Sequence, residues 1–137
     1  MKALLEAFLR YFEFLYLDPT NRITNSKTDL SGVNAAITVT GETLVWRIAN
    51  DRGQLQLSIA PARLPEQGFW ISLLKQRLDQ THEIRYLPAL EEIAWARDNI
   101  QRIHDLFDPN RLESTCDELR ALMRSNAEKE WGPAVSR

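Results

Sequence analysis

The chain has 137 residues, of which 44% are hydrophobic and 26% charged, the proportions of an ordinary soluble globular domain. Seventeen basic and 19 acidic residues leave a net charge of −2, too balanced for a nucleic-acid binder that works by bulk electrostatics. A single cysteine, Cys116, rules out an internal disulfide and a fold built around an oxidising compartment.

The length fits one domain over 1–137, large enough to bury roughly two-thirds of its unfolded surface. Charge is spread unevenly. Residues 88–137 hold 7 Lys/Arg against 10 Asp/Glu, a net of −3, while residues 21–87 hold 8 against 6, a net of +2. The N-terminal run "MKALLEAFLRYFEFLYLD" is apolar, but Glu6, Arg10 and Glu13 interrupt it and no small-residue cleavage site follows. It therefore reads as neither a signal peptide nor a membrane span, and the expected location is the cytoplasm, with no membrane partner.

Residues 2–17 read as a helix with Leu5, Phe8, Leu9, Phe12, Leu15 and Tyr16 on one face and Phe14 and Leu17 on another. Asp18-Pro19 stops it. Four strands are expected over 21–60. "NRITNS" is followed by "NAAITVT", then a Gly41-Glu42 break that suits a type II′ turn, then "TLVWRIA" and "QLQLSIA". Leu44, Trp46 and Ile48 point one way, as do Leu55, Leu57 and Ile59. Connections this short force antiparallel neighbours, so the segment is a meander with a greasy face and a polar one. Between the last two strands, "NDRG" supplies turn residues that tolerate positive φ. Arg52 is the one residue there that turn chemistry does not call for.

Residues 61–69, "PARLPEQGF", read as a loop, with Trp70 fitting a core. Helices are expected over 70–131. Ser72 is placed to cap a short helix to Asp79, and Pro88 opens a longer one to Phe107. On that long helix Leu90, Ile93, Arg97, Ile100, His104 and Phe107 share the apolar side, with Trp95 and Leu106 nearly opposite. Asp108 caps a last helix that runs to Trp131 on Leu112, Cys116, Leu119, Leu122, Met123 and Ala127. Gly132-Pro133 ends it, leaving 132–137 as a tail. Strands clustered before helices give an α+β fold: an N-terminal helix, a four-stranded antiparallel meander, and C-terminal helices packed on one sheet face.

Recognisable catalytic chemistry is lacking. With two histidines and one cysteine there is no HxxxH, CxxC or HExxH pair, so no metal is expected. No GxSxG surrounds a serine, and Cys116 lies on an apolar helix face as a small core residue. The five glycines are dispersed, so no phosphate-cradling loop forms and no cofactor is expected. Adjacent carboxylates such as Glu91-Glu92 do not converge on a helix. The expectation is a protein that is not an enzyme. Its candidate partner-binding residues are Glu91, Glu92, Asp98 and Asp105 on the acidic helices, Trp95 among them as an anchor, and Arg47 and Gln56 on the polar sheet face.

A leading amphipathic helix, "VWRIANDRGQLQLSIAP", a loop, an aromatic followed by "SLLKQRL", and acidic helices together resemble small bacterial immunity proteins of polymorphic toxin and contact-dependent growth inhibition systems. The resemblance covers residues 1–107 and rests on order and texture. It implies a cytoplasmic protein that binds and neutralises one cognate toxin domain. The alternative is a small-molecule-binding or regulatory domain, with a pocket between sheet and helices near Trp46, Trp70 and His104.

Overall fold

The computed structural model describes residues 1–30 and 34–131. It is an α+β fold with an N-terminal helical segment, one open antiparallel sheet and C-terminal helices. Among the described residues the sheet has five strands rather than the four expected: β1 (Arg22–Thr28), β2 (Ala35–Thr40), β3 (Leu44–Asp51), β4 (Gln54–Pro61) and β5 (Phe69–Trp70). Strand order follows chain order throughout. The fifth strand escaped notice because two residues are too few to show alternation. Its pairing, Ile59 with Phe69 and Ser58 with Trp70, puts Phe69 in the core and Trp70 on the opposite face, half exposed. Adjacent strand residues cannot both face inward, so the placement of Trp70 in the core is corrected.

The N-terminal segment is two helices, α1 (Lys2–Tyr11) and α2 (Glu13–Tyr16), broken at Phe12 with φ −112° and ψ 28°. The buried positions keep one helical face across the break, at spacings of four, four and three. Leu4, Phe8, Phe12 and Leu15 are buried, while Leu5 and Leu9, expected inward, are exposed. Phe14 meets Trp46 edge-on at 5.7 Å. A contact of this geometry adds about 0.5–1.5 kcal/mol beyond the area it buries.

Both hairpin turns differ from their sequence reading. Register places Thr40 opposite Val45, and the Gly41 N–H bonds the Leu44 carbonyl at 2.9 Å, so the reversal is at Glu42-Thr43. Gly41 does not have positive φ. Its role is space, since a Cβ there would collide with Oδ1 of Asn21, whose amide ties back to the Leu15 carbonyl at 3.0 Å. In the second hairpin Asp51 pairs with Gln54, and the loop is Arg52-Gly53 at φ 52° and 85°. These values match a type I′ turn, with arginine where asparagine or glycine is usual.

The C-terminal helices are α3 (Ile71–Asp79), α4 (Ala89–Asp98), α5 (Ile100–Leu106) and α6 (Leu112–Trp131). The long helix expected to Phe107 is interrupted at Asn99, whose side-chain amide bonds the Trp95 carbonyl at 2.9 Å. Asparagine competes in this way for helix carbonyls. The phase shift buries Leu106, half-buries Trp95 against the core, and leaves Leu90 exposed. Asp108 accepts the Asn110 N–H at 2.8 Å with Pro109 in the first turn, and so caps a 3₁₀ turn, Pro109–Arg111, that leads into α6 rather than α6 itself. Gly132-Pro133 and the tail lie outside the described residues.

One apolar cluster joins Ile37, Val39, Trp46, Ile48, Leu57 and Ile59 of the sheet to Phe8 and Phe12, Ile93, Ile103 and Cys116 of the helices. The other sheet face is polar but not wholly open. Val45 and Ala60, directly paired on it, are buried, and Gly68 lies over Arg47 and Ser58 as the 62–68 segment crosses back. Among the described residues no helix is long and apolar enough to cross a membrane.

Candidate functional site

The most distinctive surface lies where β5, the start of α3, the 80s segment and the end of α6 meet. Trp70, Tyr86, Met123 and Trp131 are all exposed there, Trp131 at 79% and Tyr86 at 64%. Three adjoining pockets share these rings. The first, about 240 Å³, is lined by Leu55, Leu57, Trp70, Ser72, Tyr86 and Glu92 among others. A second, about 290 Å³, lies between Tyr86, Glu83 and Glu130, and a third, about 190 Å³, between Trp70, Met123 and Trp131. Tryptophan, tyrosine and methionine are the side chains enriched at the centres of protein interfaces.

The surface rests on a stiff seat. Gln76 of α3 and Asn126 of α6, both buried, exchange paired amide bonds of 3.0 and 2.7 Å. Lys129 Nζ bonds the His82 carbonyl at 2.5 Å, which fixes the start of the 80s segment, and Arg77 bridges to Glu118 at 2.6 Å. Ser72 does not cap its helix as expected. It lies in the first turn of α3, with Trp70 at the cap position and no side-chain cap bond from it. The cap comes from α4: Oε2 of Glu92 accepts both the Ser72 N–H at 3.1 Å and the Ser72 hydroxyl at 2.8 Å. The same hydroxyl accepts the Leu87 N–H at 3.1 Å. A carboxylate at a helix N-terminus satisfies orphan donors and meets the positive end of the dipole. Burial nevertheless raises the Glu92 pKa, outweighing the two Ser72 bonds that pull it down.

The residues nominated from sequence scatter. Glu92 reaches the aromatic surface. Gln56 borders the same pocket and also a shallow basin of about 440 Å³ on the polar sheet face, floored by Ala36 and Ala49. Arg47 lies farther along that face beside Gly68. Glu91 is exposed. Asp98 pairs with Arg97 at 3.1 Å, and Asp105 accepts from Gln101 at 3.0 Å. Trp95 is partly covered by packing. Tyr86 and Trp131 carry no sequence signal of a site, and Met123, expected on the buried side of the last helix, is exposed. A signal for Trp70 was present in the adjacent pair Phe69-Trp70, since a core strand can bury only one of the two.

The groups first considered for chemistry lie elsewhere. Cys116 is buried and its thiol is pushed up by desolvation, which suits a packing residue. His104 is half-buried and held below its ordinary value by desolvation, against the pull of Asp18 and Asp105. Trp46 and Trp70 occupy opposite faces of the sheet, so they do not line one pocket together.

Compared with known proteins, the chain matches no family model, no curated protein and no solved structure.

Proposed function

We propose that the chain is a non-enzymatic protein-binding domain, an immunity protein that holds and neutralises a cognate bacterial toxin domain in the cytoplasm. The observation that carries the binding part of this reading is the group of exposed rings, Trp70, Tyr86 and Trp131 with Met123, around adjoining pockets on a rigid seat. The resemblance in sequence order and texture supports the immunity part. Binding acts by occlusion. The rings supply desolvated anchors, and Glu83 and Glu130 at the rim, with Glu91, Asp98 and Asp105 farther along the helices, favour a basic partner. Rim charge of this kind mainly speeds encounter and sets specificity.

The test is co-expression with the toxin domain encoded beside this gene. Protection of the host and a purified complex are expected. Trp131→Ala and Tyr86→Ala should each weaken the complex by about 2 kcal/mol, roughly thirtyfold in Kd, if they are hot spots. Absence of both protection and complex would sink the reading.

A further inference from the structure

Glu92 carries an unmatched charge in the pocket it borders. Its carboxylate is half-buried and meets no lysine or arginine within ion-pair distance among the described residues. The two donors it accepts from both belong to Ser72 and both fall on Oε2, while Oε1 receives none from the described residues and stays open to solvent, where a cation entering the pocket can reach it. The remaining walls are Trp70 and Tyr86 with Leu55, Leu57 and Leu87, and Gln56 is the one further polar residue there among the described residues. Aromatic walls attract a cation through the ring face, tryptophan most strongly, and the leucines suit an alkyl stem.

We propose that this pocket takes a lysine side chain of the bound partner protein, its ammonium on Glu92 Oε1 and its stem between Trp70 and Tyr86. Lysine fits better than arginine. A guanidinium fork is best matched by two free carboxylate oxygens, and Ser72 already occupies one, whereas an ammonium is a point charge content with the other. The volume, about 240 Å³, is ample for one unbranched side chain. Burial raises the Glu92 pKa, and an ammonium brought to Oε1 would lower it. This inference rests on the protein-binding reading and specifies one contact within it.

The test needs no partner. Nα-acetyl-lysine-N-methylamide is titrated into the full chain while NMR follows the Trp70 indole N–H and the Leu87 amide, which bonds Ser72 Oγ. Saturable shifts are expected, with the uncharged norleucine analogue and the arginine analogue each weaker by about tenfold or more. Glu92→Gln keeps an acceptor for Ser72 and so the fold. It should erase the lysine preference, and Trp70→Leu should weaken all three probes. Equal binding of lysine and norleucine probes, unchanged preference in Glu92→Gln, or no saturable shift would each overturn the proposal. Failure here with protection intact in co-expression removes the lysine contact and leaves the partner reading standing; loss of protection with the lysine preference intact does the reverse.

Discussion

Two tryptophans on opposite faces of one sheet divide this molecule. Trp46 is 2% exposed, pairs with Ile59 across β3–β4 and touches Phe14 from the N-terminal helices. Trp70 pairs with Ser58 on the other side of β4 and is half exposed. Both indoles lie on short-range antiparallel ladders, so local propensity does not separate them. The difference is what covers each face. The helices seal the Trp46 side into a single cluster, while the Trp70 side is closed only near Val45 and Ala60 and opens at β5. Trp70, beside Tyr86 and Trp131, adds to an exposed apolar surface of the kind on which the proposed binding role rests.

The contrast can be broken most decisively by removing each ring. Trp46→Ala should cost about 3–5 kcal/mol in urea unfolding, as large core truncations do, and Trp70→Ala well under about 1 kcal/mol. Equal costs would mean that Trp70 belongs to the core after all. The seat beneath the open surface gives the next effect. Asn126→Ala strands the buried Gln76 amide and should cost about 1–3 kcal/mol. The same change should broaden or shift the Trp70 and Trp131 indole resonances if the seat orders the rings. Arg52→Asn should stabilise by about 0.5–1 kcal/mol, read from the urea midpoint, because arginine holds a left-handed φ of 52° that asparagine tolerates. A loss on that substitution would show that the arginine side chain has a structural contact of its own.

The smallest effect is on pH dependence. His104 has a folded pKa below its ordinary value of about 6.5, so the unfolded chain binds the proton first. The stability it contributes is complete above that value and is lost as pH falls through it toward the folded value. His104→Asn should flatten the stability curve in that window. Glu92 acts with the opposite sign: its raised pKa opposes folding at neutral pH and the opposition fades as pH falls toward the ordinary carboxylate range. Glu92→Gln should therefore be neutral or stabilising at pH 7.

The meander was legible in the sequence because period-two alternation is strong from Leu44 to Ala60, and the register places Trp46 and Ile48 against Ile59 and Leu57 as that alternation requires. The helical breaks at Phe12 and Asn99 were not legible. At Asn99 the consequence, a rotated phase, appears only once tertiary packing selects which apolar residues turn inward, with Leu106 buried and Leu90 exposed. In the N-terminal segment two apolar faces compete, and packing selects the one that holds Leu4 over the one that holds Leu5 and Leu9. The candidate site is less legible. The aromatic surface joins positions 70, 86, 123 and 131, which no spacing in the sequence links and whose convergence depends on how α3 and α6 dock. Glu92 was nominated as a free surface acid and lies instead in a cross-helix cap.

The order of the strands also has a kinetic consequence. Each strand pairs only with its chain neighbour, so every sheet contact closes a short loop and the meander can zip up progressively. The wide closures belong to the helices: the N-terminal helices meet α4 and α5, with Asp18 within electrostatic reach of His104, and Gln76 meets Asn126 fifty residues on. Loop entropy is therefore concentrated in docking the helices rather than in the meander. The docking of α6 brings Trp131 to Trp70, so the proposed binding surface should be assembled only after the meander has formed.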